Sequence, residues 1–159
     1  MKPGSKRAAA FCFLSHHDKY LLLKRTKTPY YGKYAPIGGS LEPFETPDQA
    51  IIRETMEEAQ VMLKDIRFCG ILTETSPVQY NWISFVYTSE IPWYEPPLCD
   101  EGILMWVEKS EAPSLDIPPP DLIIYQYLKE GRQFVLDAIY NEQMELVSMI
   151  EKLSGDIVV

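Results

Sequence analysis

The segment Thr46-Pro47-Asp48-Gln49 constrains this chain more than any other, because it carries several signals for one helix start. Thr can cap the helix with its hydroxyl, Pro suits the first helical position where no N–H is needed, and Gln three residues after the cap can reach back to it. A helix from Pro47 to about Ala59 follows. At about 100° per residue, Glu54, Glu57 and Glu58 fall within one arc of about 100°. Ile52, Met56 and Ala59 fall on the other side, where they are expected to pack on a sheet. Like charges at such spacing destabilise an exposed helix by roughly 0.2–0.5 kcal/mol per pair. A hard divalent cation would remove that cost, and magnesium characteristically uses a few carboxylates, waters and substrate phosphates. A solvated acidic face is the plain alternative.

The approach to this helix bears on that choice. Residues 26–46 are rich in Pro29, Gly32, Pro36, Gly38, Gly39 and Pro43, which predicts an irregular loop, interrupted at most by a short strand at residues 34–37. The glycine pair lets backbone approach a metal or phosphate with no Cβ in the way. From Gly39 to Val61 the sequence resembles the Nudix box, G-x5-E-x7-R-E-U-x-E-E-x-G-U with U a bulky apolar residue. Gly39, Glu45, Arg53, Glu54, Glu57, Glu58 and Val61 are in register, whereas Thr55 and Gln60 depart from it and Phe44 replaces a frequent glycine.

The resemblance implies the Nudix fold, a mixed β-sheet sandwiched between α-helices, over residues 1–159 as a single domain. Carried over residue by residue, it implies that Glu57 and Glu58 bind Mg2+, with Mn2+ as an alternative, and that Glu54 binds metal or serves the attacking water. It further implies that the Gly38 carbonyl completes the metal site, that Arg53 and Glu45 orient the ligands, and that a distant acid joins them. Asp100-Glu101-Gly102 offers Glu101 for that last role, against the alternative of an exposed acidic turn. The catalytic set is then Arg53, Glu54 and Glu57, and the metal set Gly38, Glu54, Glu57, Glu58 and Glu101.

Residues 32–39 and 99–107 resemble the bacterial 8-oxo-dGTP diphosphatase-like branch of that family. The expected reaction is therefore hydrolysis of a purine nucleoside triphosphate to monophosphate and pyrophosphate. Diphosphatases of ADP-ribose or nucleotide sugars, and a nucleotide-sensing module without turnover, are the alternatives. Tyr34 could stack on a base and Arg25 could reach phosphate or a base edge, each with an ordinary packing or surface role as the rival reading. Trp82, Phe85 and Trp106 are expected in the core, and His16 and His17 in a solvated turn.

Composition narrows the remaining classes. A net charge of −8 argues against a nonspecific nucleic-acid or membrane-surface binder. A nucleotide is the expected small-molecule partner, and a homodimer stays open. Cys12, Cys69 and Cys99 lie far apart, which suggests neither a zinc site nor a disulfide framework and fits a cytoplasmic protein, with Cys12 and Cys69 as core thiols. Apolar runs at residues 8–14 and 20–25 predict a β-hairpin, and further strands are expected at 66–75, 82–88 and 103–107. The run Pro118-Pro119-Pro120-Asp121 introduces a second helix, 122–130, stopped by Gly131. Residues 134–140 read as extended, and 144–153 fit helix or strand equally. Strands broken by two or three helices without regular βαβ alternation mark an α+β domain.

Overall fold

The computed structural model describes residues 2–28 and 30–159; Pro29, one of the loop punctuators, lies outside them. The alternating apolar runs form strands as expected: β1 (Arg7–His16) and β2 (Lys19–Arg25) make the hairpin, and β3 (Tyr34–Ala35) and β4 (Ile37–Ser40) divide the loop that follows. Helix α1 (Pro47–Ala59) then leads to β5 (Arg67–Thr75), β6 (Trp82–Glu90) and β7 (Gly102–Glu108). Helix α2 (Pro119–Glu130) precedes β8 (Phe134–Tyr140) and β9 (Leu146–Glu151), so the ambiguous tail is a second hairpin.

Among the described residues these strands make one nine-stranded sheet, whose main path runs β3-β2-β1-β6-β5-β8-β9, with β4 added to β1 and β7 to β2. The β1–β6 and β5–β8 pairs are parallel and the others antiparallel. Successive strand residues face opposite ways, and the apolar residues sort accordingly. From β1 and β2, Ala10, Cys12, Leu14, Leu21 and Leu23 join Ala50, Ile51 and Ala59 of α1 in one core cluster. Phe13, Tyr20 and Leu22 point the other way, to Ile124, Tyr125 and Tyr127 of α2. Helices on both faces enclose the sheet, and Cys12 and Cys69 are buried within it.

Helix α1 begins as its sequence predicts: the Thr46 hydroxyl accepts from the Gln49 N–H and the Gln49 side chain accepts from the Thr46 N–H. Its sheet-facing side differs from expectation. The buried stripe is Ala50, Ile51, Thr55, Glu58 and Ala59, whereas Ile52 is half-buried and Met56 is exposed. Packing selects the i, i+4, i+7, i+8 stripe that starts at Ile51, so the sheet covers Thr55 and the flank carrying Glu58. Thr55 Oγ1 is, among the described residues, the buried side-chain polar atom without a hydrogen-bond partner. Gln60, where the Nudix box has glycine, takes the left-handed conformation (φ 56°) and still closes the helix, its N–H donating to the Met56 carbonyl.

Candidate active site

Strand β4 and helix α1 meet where Gly38 and Gly39 run beside the acidic face. A Cβ on Gly38 would overlap the Ala10 carbonyl, so close backbone approach requires glycine there, and one on Gly39 would push the Glu54 carboxylate from its place. Arg53 ties this corner together. Its Nε and Nη2 donate to the two oxygens of Glu45 at 2.8 and 2.9 Å, and Nη2 also donates to the Ser40 carbonyl at 3.1 Å. Its Nη1 donates to Glu54 at 2.8 Å and to Glu57 at 3.3 Å. The Arg53 guanidinium, with the Glu42 N–H, holds the Glu45 carboxyl at about 2. One cation thus fixes three carboxylates and the loop that presents Gly39.

Glu58 lies deeper, 9% exposed, and accepts from the Gly38 N–H at 3.2 Å. Burial pushes its carboxyl up to about 8, with the neighbouring Glu54 adding to the shift. Burial likewise raises Glu54 against the opposing pull of Arg53. Buried Glu58 and half-buried Glu54 lie close together with Arg53 paired, of the two, to Glu54 alone, and their ligand atoms are all hard oxygens, which fits a divalent cation. Among the described residues no three acidic, histidine or cysteine side chains are already gathered as a closed metal cluster. The expected set of Gly38, Glu54, Glu57, Glu58 and Glu101 is thus brought to one cavity without being preassembled around a point.

That cavity has a volume of about 780 Å³, within the range of small-molecule sites. Glu54, Glu57 and Glu58 line it from α1, and Asp100 and Glu101 from the loop before β7. Arg25 lines it between them, 3.8 Å from Glu101, which also pairs with Lys27 at 3.1 Å. Tyr34 is not among the lining residues: its ring packs on the α2-side core and lies 5.5 Å from Lys24 Nζ. The strand twist that brings Ala35 to the cavity turns Tyr34 away, because neighbours on a strand face opposite sides. The aromatic lining comes instead from Phe11, Tyr30, Tyr80 and Trp82.

Sequence reading missed these, and missed Glu74 and Asp121, which line the same cavity. One signal was available: Gly70, Leu72 and Glu74 alternate on β5, so Glu74 occupies an inward register. Trp82, expected in the core, is half-exposed on the cavity wall with the Arg7 guanidinium 4.5 Å from its ring centroid. Phe85 and Trp106 do pack against the α1-side core. His16 is more than a solvated turn residue, since its Nδ1 lies 2.9 Å from the Ile91 carbonyl.

Comparison with known proteins bears on this geometry. A family model for the NUDIX domain matches residues 5–128. Diphosphoinositol polyphosphate phosphohydrolase 3-alpha of Mus musculus is 36% identical over 83 residues, 52% of this chain and 50% of that protein. The chain thus spans about half the length of the diphosphoinositol relatives it matches. The crystal structure of a MutT protein from Bacillus halodurans superposes with a TM-score of 0.82 at 24% identity, covering 92% of this chain and 98% of that one. The NUDIX domain of Shewanella oneidensis NrtR, solved with ADP ribose, has a TM-score of 0.70 at 15% identity, covering 80% and 88%. The family match takes in every strand from β1 to β7 and the whole acidic helix between them, and this chain belongs to the Nudix family.

Proposed function

We propose that this chain hydrolyses the diphosphate linkage of a purine nucleoside triphosphate between its α and β phosphates, giving a nucleoside monophosphate and pyrophosphate, with Mg2+ or Mn2+ as the bridging ion. One observation carries the reading: a single cavity is lined both by the carboxylates of α1 and Glu101 and by the rings of Tyr30, Tyr80 and Trp82. Phosphates suit the carboxylates only with a cation between, and a flat base suits the rings.

Glu57, Glu58, Glu101 and the Gly38 carbonyl would hold the ion, which when bound neutralises phosphate charge and activates water for attack at phosphorus. Arg53 occupies one oxygen of Glu54 and leaves the other to orient the attacking water and take its proton. The bond from the α phosphorus to the bridging oxygen breaks, and the electron pair leaves with pyrophosphate. Arg25 would meet a phosphate oxygen, and Tyr30 and Trp82, which line the cavity, would take the stacking role expected of Tyr34.

The test is kcat/KM for dGTP, 8-oxo-dGTP, ADP-ribose and a diphosphoinositol polyphosphate, each with magnesium and with excess chelator. The expected result is pyrophosphate release from the triphosphates, abolished by chelator. A hundredfold preference for ADP-ribose, equivalent to about 2.7 kcal/mol of transition-state stabilisation, would overturn the triphosphate assignment and leave diphosphate cleavage standing.

A further inference from the structure

The cavity holds two carboxyls, Glu74 and Asp121, that belong to neither α1 nor the loop before β7 and that the expected metal set leaves out. Arg7, Trp82 and Glu74 stand side by side across β1, β6 and β5. Glu74 is 7% exposed yet lines the cavity. The Tyr140 hydroxyl donates to Glu74 Oε1 at 2.8 Å, and the Tyr80 hydroxyl lies 3.4 Å from both carboxylate oxygens. Tyr140 belongs to β8, outside the residues that the family model matches. Strand β8 thus supplies a hydroxyl that fixes a carboxylate in the cavity.

The surroundings leave that carboxylate short of partners. Each carboxylate oxygen can accept about two hydrogen bonds, and Glu74 receives one short bond from Tyr140 and one long bond that the single Tyr80 proton shares between both oxygens. Lys6, the nearby cation, donates to the Glu74 carbonyl and the Thr75 hydroxyl. Asp121 lines the same cavity, and burial, with Glu74 adding, pushes its carboxyl up to about 8. Tyr30 meets Tyr80 edge-on with ring centroids 5.8 Å apart, so the two acids lie among aromatic walls. The open acceptor sites of Glu74 are met by a ligand that brings N–H or O–H donors, and a flat ring edge fits the walls. An inositol polyphosphate would set its own anions against the Glu74 carboxyl.

We propose that Glu74, oriented by Tyr140 and Tyr80 and flanked by Asp121, reads the substrate's base by accepting N–H donors from a guanine-type ring edge. This rests on the triphosphate reading above and adds the residues that set its selectivity.

dGTP and dITP test it, because they differ only in the 2-amino group. A site built to hydrogen-bond a donor rejects the analogue that lacks it. In the wild type, kcat/KM for dGTP is expected to exceed that for dITP by about tenfold or more. Glu74→Gln and Tyr140→Phe are expected to bring the ratio below about threefold, chiefly by lowering the dGTP value, with the magnesium requirement unchanged. Tyr140→Phe keeps the ring in its packing and serves even if Glu74→Gln does not fold. A merely structural role would lower both substrates together and preserve the ratio, which overturns the inference. Equal cleavage of dGTP and dITP by the wild type also overturns it while leaving the hydrolase reading intact. Cleavage of a diphosphoinositol polyphosphate with none of any nucleoside triphosphate would overturn both.

Discussion

Of the three departures from the family pattern, Thr55 lies within α1, and the other two stand in left-handed backbone: Phe44 at φ 66° and Gln60 at φ 56°. An L side chain is strained there, whereas glycine is not. Gln60→Gly is therefore expected to stabilise the fold by roughly 0.5–1 kcal/mol, the strain relieved being partly offset by the greater freedom of unfolded glycine. Denaturant midpoints measure this, and a destabilised variant would show that the Gln60 side chain supports the helix end. Glu57 tests the chemistry at the same scale. Its side chain is 58% exposed and makes a 3.3 Å contact to Arg53, so little folding energy depends on its charge. Glu57→Gln is expected to cut kcat at saturating magnesium by at least roughly tenfold to a hundredfold, the range seen for the outer partners of a metal. Its melting temperature should stay within about a degree of wild type. Undiminished turnover would remove Glu57 from the metal site, and a melting loss as large as the activity loss would make its role structural.

Among the elements, the C-terminal hairpin has its own acid sensitivity. Burial pushes Glu151 up, but the N–H groups of Val135, Leu153 and Ser154 outweigh it and hold the carboxyl at about 2. An unfolded Glu titrates near about 4.3. Between those values the unfolded chain binds the extra proton, so this group's stabilisation is present above about pH 4.3 and is lost as pH falls toward 2. Glu151→Gln should lower stability at neutral pH and flatten the part of the acid unfolding profile in that window, read by circular dichroism. An unchanged slope would mean that the three N–H groups find other partners. The sequence left residues 144–153 open between helix and strand because short apolar runs lack a decisive period, and pairing with β8 makes them β9. The hairpin β1–β2 and the start of α1 were legible because their signals are local: alternation, a cap, a proline. Which face of α1 is buried was not legible, since Ile51 and Ile52 are equally apolar and only the sheet chooses between them. Tyr34 failed as a cavity residue, and Glu74 and Tyr140 were overlooked, for a related reason. Contacts spanning 66 residues, as theirs does, leave no local mark.

At the scale of the molecule, charge decides how a substrate can bind. The chain carries a net −8, and its cavity concentrates the imbalance: Glu54, Glu57, Glu58, Asp100 and Glu101, and also Glu74 and Asp121, with Arg25 as the lining cation among the described residues. A triphosphate entering alone would bring several negative charges into that field, where like charges at close range cost several kcal/mol. A divalent ion entering alone would meet carboxylates that Arg53 and Gly38 already hold and that are not gathered as a closed cluster. Each ligand therefore supplies what the other lacks, since substrate phosphates complete the metal's coordination and the metal cancels their charge. Thermal shifts should accordingly be more than additive for magnesium with a slowly hydrolysed α,β-imido triphosphate. At a hundredfold excess over Kd the pair is worth about 2.7 kcal/mol, or roughly 5–10 °C for a domain of this size. Magnesium alone, or nucleotide alone in chelator, should each give a small fraction of that. Equal stabilisation by nucleotide with and without chelator would mean that Arg25 and the aromatic wall suffice for binding, and would favour a nucleotide sensor over a hydrolase.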